Sequence, residues 1–91
     1  MTTRVHLIIS GIVQGVSFRW SAREQARHVR LSGWIRNNDD GTVECVAEGE
    51  KARLQEFVAW CKRGSHYSRV VSCTVEWKKA TGEFSDFEIR F

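Results

Sequence analysis

The 91-residue sequence has no proline, no long apolar run, no dense block of one charge, no repeat and no linker-like stretch. Without an apolar stretch of membrane-spanning length no transmembrane helix is expected, and the apolar part of "MTTRVHLIIS" is too short for a signal peptide. The cytoplasm is the expected location. Fourteen Lys and Arg against eleven Asp and Glu give a net charge of +3. That mild excess suits an anionic partner and falls short of the basic tracts that mark nucleic-acid binding. Cysteine is scarce too. Cys45, Cys61 and Cys73 form no C-x-x-C pair, and each sits in an apolar pattern ("VECVA", "FVAWC", "VVSCTV"). Reduced, buried thiols are the expected state, a disulfide between two of them stays open, and a zinc site would want closer ligand pairs. His6, His28 and His66 share no close spacing, so no metal site is expected.

What is present is the composition and length of one small globular domain, residues 1–91. "RVHLIIS" reads as a strand, and its near-continuous apolar run predicts a central position buried on both faces. Phe18, Ala22, Ala26 and Val29 recur at helical spacing, so a helix starts near Phe18, not at the possible capping box of Ser21 and Glu24. "SGWIRN" and "TVECVAE" flank the turn-forming "NDDG" and predict a hairpin. A second helix in "EKARLQEFVAWCKR" buries Leu54, Phe57, Val58 and Cys61 and stops at Gly64. "SRVVSCTVEW" follows as a strand with Val71, Cys73, Val75 and Trp77 on one side, and "FEIRF" as a short last strand alternating Phe87, Ile89 and Phe91. Trp20, Trp34, Trp60 and Trp77 are expected to pack in the core. The order βαββαβ plus a terminal strand predicts an α+β, ferredoxin-like sandwich: an antiparallel sheet with both helices on one face.

The segment "GIVQGVSFR", residues 11–19, joins the first strand to the first helix. Gly11 and Gly15 permit backbone angles closed to other residues, so consecutive N–H groups of such a turn can converge on one spot. The helix N-terminus adds partial positive charge there, and Arg19 in its first turn can aim a guanidinium at the same place. Two readings stand side by side: a phosphate cradle, or a tight βα connection with Arg19 in solvent. The spacing fits neither G-x-x-x-x-G-K-[ST] nor G-x-G-x-x-G.

The same residues carry a resemblance. "GIVQGVSFR" matches G-x-V-Q-G-V-x-F-R from Gly11 to Arg19, and "GWIRNNDDGTVE" matches G-W-V-R-N-x-x-D-G-x-V-E from Gly33 to Glu44 with Ile35 for Val. Both motifs, and the sequence on through "FVAWCKRG" to "FEIRF", resemble the acylphosphatases, small hydrolases of carboxyl-phosphate mixed anhydrides. The resemblance implies that Arg19 binds the substrate phosphate and that Asn37 positions the attacking water. It implies that backbone amides of Gln14, Gly15, Val16, Ser17 and Phe18 cradle the phosphate oxygens. No metal and no organic cofactor are implied. The partners implied are a small acyl phosphate and inorganic phosphate as product, with no nucleic acid and no membrane, and a monomer is expected.

The chemistry suits so spare a site. A carboxylate leaves without strong acid catalysis, so the work left is to hold the phosphoryl group, stabilise its charge and align a water. An amide side chain orients water but is no base, so the substrate itself is the expected proton acceptor. A guanidinium stays charged at physiological pH, so a broad pH optimum is expected. The chain departs from the family pattern at "VRL", where glycine is usual for Arg30, and at "GSHYSRV", where family members often have Gly-Pro-Pro. Arg30 is therefore expected to carry strain, and the proline-free 64–70 loop to be looser. Three rivals remain: an RNA-binding sheet, for which "TVECVAEGE" offers no exposed aromatics; a phosphate-binding module without turnover; and a domain of a larger carbamoyl-transfer enzyme.

Overall fold

The computed structural model of the protein describes residues 2–91. Among these, the elements run β1 (Thr2–Ile12), α1 (Phe18–His28), β2 (Ser32–Asn37), β3 (Val43–Glu50), α2 (Lys51–Arg63), β4 (Arg69–Lys79) and β5 (Phe87–Arg90). The strands form one sheet in the order β4-β1-β3-β2-β5. β1 pairs antiparallel with β3 and β4, and β2 antiparallel with β3. Alternate residues of β1 and β3, among them Val5, Leu7, Ile9, Cys45 and Ala47, share one buried cluster with Phe18, Ala22 and Ala26 of α1 and Leu54, Phe57, Val58 and Cys61 of α2. Both helices therefore cover one face. This is the ferredoxin-like α+β sandwich expected from the element order.

Several expectations need correction. β5 runs parallel to β2, so the sheet is not wholly antiparallel. β1 is buried on one face only: Arg4, His6 and Ile8 alternate with the core residues and look out from the uncovered face. The apolar run misled because Ile8 and Ile9 lie on opposite sides. In β4 the pairing shifts between Ser10 and Gly11, which stand opposite Ser72 and Val70. The bulge turns Val71 outward, 76% exposed, and Val70 packs against the core instead. Gly11 lies at φ 126°, where a Cβ would sit 2.0 Å from the Arg69 carbonyl oxygen, so only glycine lets the two strands approach there. Phe91 is fully exposed, and Trp20 and Trp77 are 55% and 42% exposed, so neither tryptophan is a core residue. Trp34 lies on the open face with the guanidinium groups of Arg36 and Arg90 5.3 and 4.8 Å from its ring centre.

The helix ends follow their local sequence. α1 closes in a Schellman motif: Leu31 N–H donates to Ala26 O (2.9 Å) and Arg30 N–H to Arg27 O (3.1 Å). Arg30 takes the left-handed position at φ 59°, so the strain expected from "VRL" is present. α2 ends at Gly64, whose N–H donates to Trp60 O at 2.7 Å. Phe57 of α2 meets Phe87 of β5 edge-on at 5.8 Å, a contact worth about 0.5–1.5 kcal/mol beyond the area buried. All three cysteines are free thiols, Cys73 only half-buried. Burial pushes the Cys45 and Cys61 thiols well up from their ordinary range.

Candidate active site

The turn between β1 and α1 hangs between two buried anchors, Val13 and Phe18. Phe18 also meets the ring of Trp60 at 5.5 Å. Gly15 has φ 74° with open space where a Cβ would stand, so glycine is required there by backbone angle and not by crowding. Ser17, just before the helix, is also left-handed at φ 60° and ψ 24°, and its side chain caps nothing. A non-glycine residue in that region costs roughly 1–3 kcal/mol and persists where the surroundings enforce it. Gly15 and Ser17 are thus both left-handed within one short turn, the kind of backbone that can turn successive N–H groups to one side.

The first turn of α1 has no acidic residue, although the helix dipole favours one. Its charge is instead the cationic Arg19, which the dipole disfavours. An anion bound there would be a counter-charge common to the unpaired N–H groups of the helix start and the guanidinium. Gly15, Ser17, Arg19 and Trp20 line one side of a cleft of about 330 Å³, and Ile89 and Phe91 line the other. The Arg19 guanidinium lies 5.1 Å from the centre of the Phe91 ring. A larger cleft, about 540 Å³, opens at the far end of α1. Arg27 there pairs with Asp86, and Glu48 with Arg4 and the N–H groups of Thr81 and Gly82, which leaves Arg30 as the charged lining residue without a side-chain partner among the described residues.

Of the residues singled out in the sequence, Gly15, Ser17, Phe18 and Arg19 share this cleft. Val16 packs partly against the core. Asn37 ends β2 opposite Val43 and is not among the cleft's lining residues. Its Oδ1 is shielded from solvent and has no hydrogen-bond partner. The turn that follows is built by its neighbours: Asn38 Nδ2 donates to Thr42 Oγ1 (3.0 Å), and Asp40 Oδ1 accepts from Thr42 N–H (3.0 Å) and Oγ1 (2.6 Å). These bonds from Thr42 hold the Asp40 carboxyl below its ordinary range. The turn leaves Asn37 unused.

Gln14 is not among the cleft's lining residues, and its side chain is engaged elsewhere. Its Nε2 donates to the carbonyl oxygens of Asn38 (2.8 Å) and Thr42 (2.9 Å), tying the 14–18 turn to the β2–β3 hairpin. The Q of G-x-V-Q-G was the available signal, but its partners lie 24 and 28 residues away. Trp20, Ile89 and Phe91 were likewise missed as cleft residues.

The acylphosphatase family model matches residues 5–89. The chain belongs to the acylphosphatase family. It is 52% identical over 86 residues to the acylphosphatase of Roseiflexus sp. (strain RS-1), covering 94% of this chain and 92% of that one. The acylphosphatase of Pelotomaculum thermopropionicum is 48% identical over 88 residues, with 97% and 96% covered. The crystal structure of acylphosphatase from Bacillus subtilis superposes with a TM-score of 0.94 over 100% of both chains at 37% identity. As an acylphosphatase-family protein with relatives of this coverage, the chain is an enzyme.

Proposed function

We propose that this chain hydrolyses acyl phosphates to a carboxylate and inorganic phosphate, with the 14–18 turn and Arg19 holding the phosphoryl group and Asn37 orienting the water. The observation that carries the reading is the pair of left-handed residues, Gly15 and Ser17, at the start of a helix whose first turn bears Arg19 and no acid. Turn amides and guanidinium stabilise the charge that spreads over the equatorial phosphoryl oxygens. Asn37 Oδ1, buried and unpartnered, accepts one hydrogen of the incoming water. The water oxygen bonds to phosphorus as the bond from phosphorus to the acyl oxygen breaks, and that oxygen leaves with the bonding pair as part of a carboxylate. The water proton passes to a phosphoryl oxygen, since the amide of Asn37 is no base. Family membership supports the reaction, and the step needs no metal. The enzyme works as a monomer in the cytoplasm.

The test is hydrolysis of benzoyl phosphate in EDTA by the wild type, Arg19→Ala and Asn37→Ala. Each variant is expected to lose about 100-fold or more in kcat with its circular dichroism unchanged. A folded variant with near wild-type turnover removes that residue from the chemistry. A wild type that binds phosphate without turnover makes the turn an anion site only.

A further inference from the structure

Trp20 stands at a junction. It lines the cleft that holds Arg19, and it also lines an open groove of about 510 Å³ between α1 and the end of α2, shared with Trp60, Ser65 and His66. The other three tryptophans are engaged: Trp34 by Arg36 and Arg90, Trp60 by Phe18, Trp77 by Lys51. Among the described residues no ring or cation stacks on Trp20, although it is 55% exposed. At the groove's far wall Ser65 Oγ is shielded from solvent and has no hydrogen-bond partner. On the opposite side of the cleft, the Phe91 ring is taken up by the Arg19 guanidinium.

We propose that the groove from Trp20 to Ser65 seats the acyl part of the substrate, and that Trp20 sets a preference for flat, neutral acyl groups. The proposal rests on the phosphate lying in the 14–18 turn. An acyl group leaving that turn can run towards Phe91, whose ring already carries the Arg19 guanidinium on one face, or across Trp20, on which neither ring nor cation is stacked. A planar aromatic or conjugated acyl group stacks on the indole, which a small acetyl group covers poorly. Glu24 at the groove's rim, paired with Arg23 at 3.6 Å, adds a modest bias against an acyl group that carries its own carboxylate.

The experiment compares kcat/KM for benzoyl phosphate and acetyl phosphate in the wild type, Trp20→Ala and Trp20→Phe, with Arg19→Ala alongside. In Trp20→Ala the benzoyl-to-acetyl ratio is expected to fall by about 3- to 10-fold, the equivalent of one aromatic stacking contact, mainly through KM for benzoyl phosphate. Trp20→Phe should restore most of the ratio. A ratio unchanged in both Trp20 variants overturns the proposal while leaving the turn's role intact. Undiminished turnover in Arg19→Ala removes the turn's role, and the acyl seat with it.

Discussion

Arg30 and Ser17 occupy the same backbone region for opposite reasons. Arg30 closes the Schellman motif of α1 at φ 59°, where any residue but glycine is crowded by its own Cβ. The Arg30 side chain makes no hydrogen bond or ion pair among the described residues that offsets this, so Arg30→Gly is expected to stabilise the protein by about 0.5–1 kcal/mol after glycine's greater loss of chain entropy. Urea unfolding at neutral pH checks it, and a lower midpoint would remove the strain argument. Ser17 carries comparable strain at φ 60° but beside Arg19, in the cleft. Arg30 was legible because the acylphosphatase pattern usually has glycine, a residue suited to a left-handed helix end, where this chain has arginine. The geometry of Ser17 was not, because the start of α1 was set by the stripe of Phe18, Ala22 and Ala26 and by no capping side chain.

Between elements, the tie made by Gln14 is the bond that sets the first motif against the second. Gln14→Ala leaves the Asn38 and Thr42 carbonyls each short of one donor, a loss of about 1–2 kcal/mol in stability. kcat/KM for benzoyl phosphate is expected to fall as well, because the turn and the hairpin bearing Asn37 are then free to drift apart. Kinetics unchanged alongside unchanged unfolding would show that the tie positions nothing. Elements whose signal is local, such as the α2 stripe of Leu54, Phe57, Val58 and Cys61, could be read from the sequence almost to the residue. Features set by a distant partner could not. Val71 continues the alternation of Cys73 and Val75, yet the bulge opposite Gly11 turns it out. The parallel seating of β5 on β2 is likewise decided by where the sheet has room, not by "FEIRF". The two motifs marked Arg19 and Asn37, but the cleft walls at Trp20, Ile89 and Phe91 come from segments that only folding brings together.

Across the molecule, two carboxylates on the uncovered face link stability to pH. Glu48 is 3% exposed. Burial raises its carboxyl, but the N–H groups of Thr81 and Gly82 and the Arg4 guanidinium outweigh burial and hold it below the ordinary range. Glu44 is held low by its hydrogen bond from His6 (2.6 Å), helped by Arg36 and opposed by burial. Each folded pKa lies below an unfolded value of about 4.3, so the stabilisation is complete above that value and is lost as pH falls through the folded pKa. Unfolding free energy is therefore expected to decline below about pH 4.5, and Glu48→Gln to flatten that decline while costing roughly 1–3 kcal/mol at neutral pH. An acid limb of unchanged slope in the variant would assign the pH dependence elsewhere. The sheet order has a consequence in time as well. Thr3 lies opposite Lys79 and Ile9 opposite Val43, so β1 has no partner nearby in the chain. Contacts so remote must close large loops before they return any energy, which makes folding slow and global. A peptide of residues 1–30 would hold all of "GIVQGVSFR" and none of its shape.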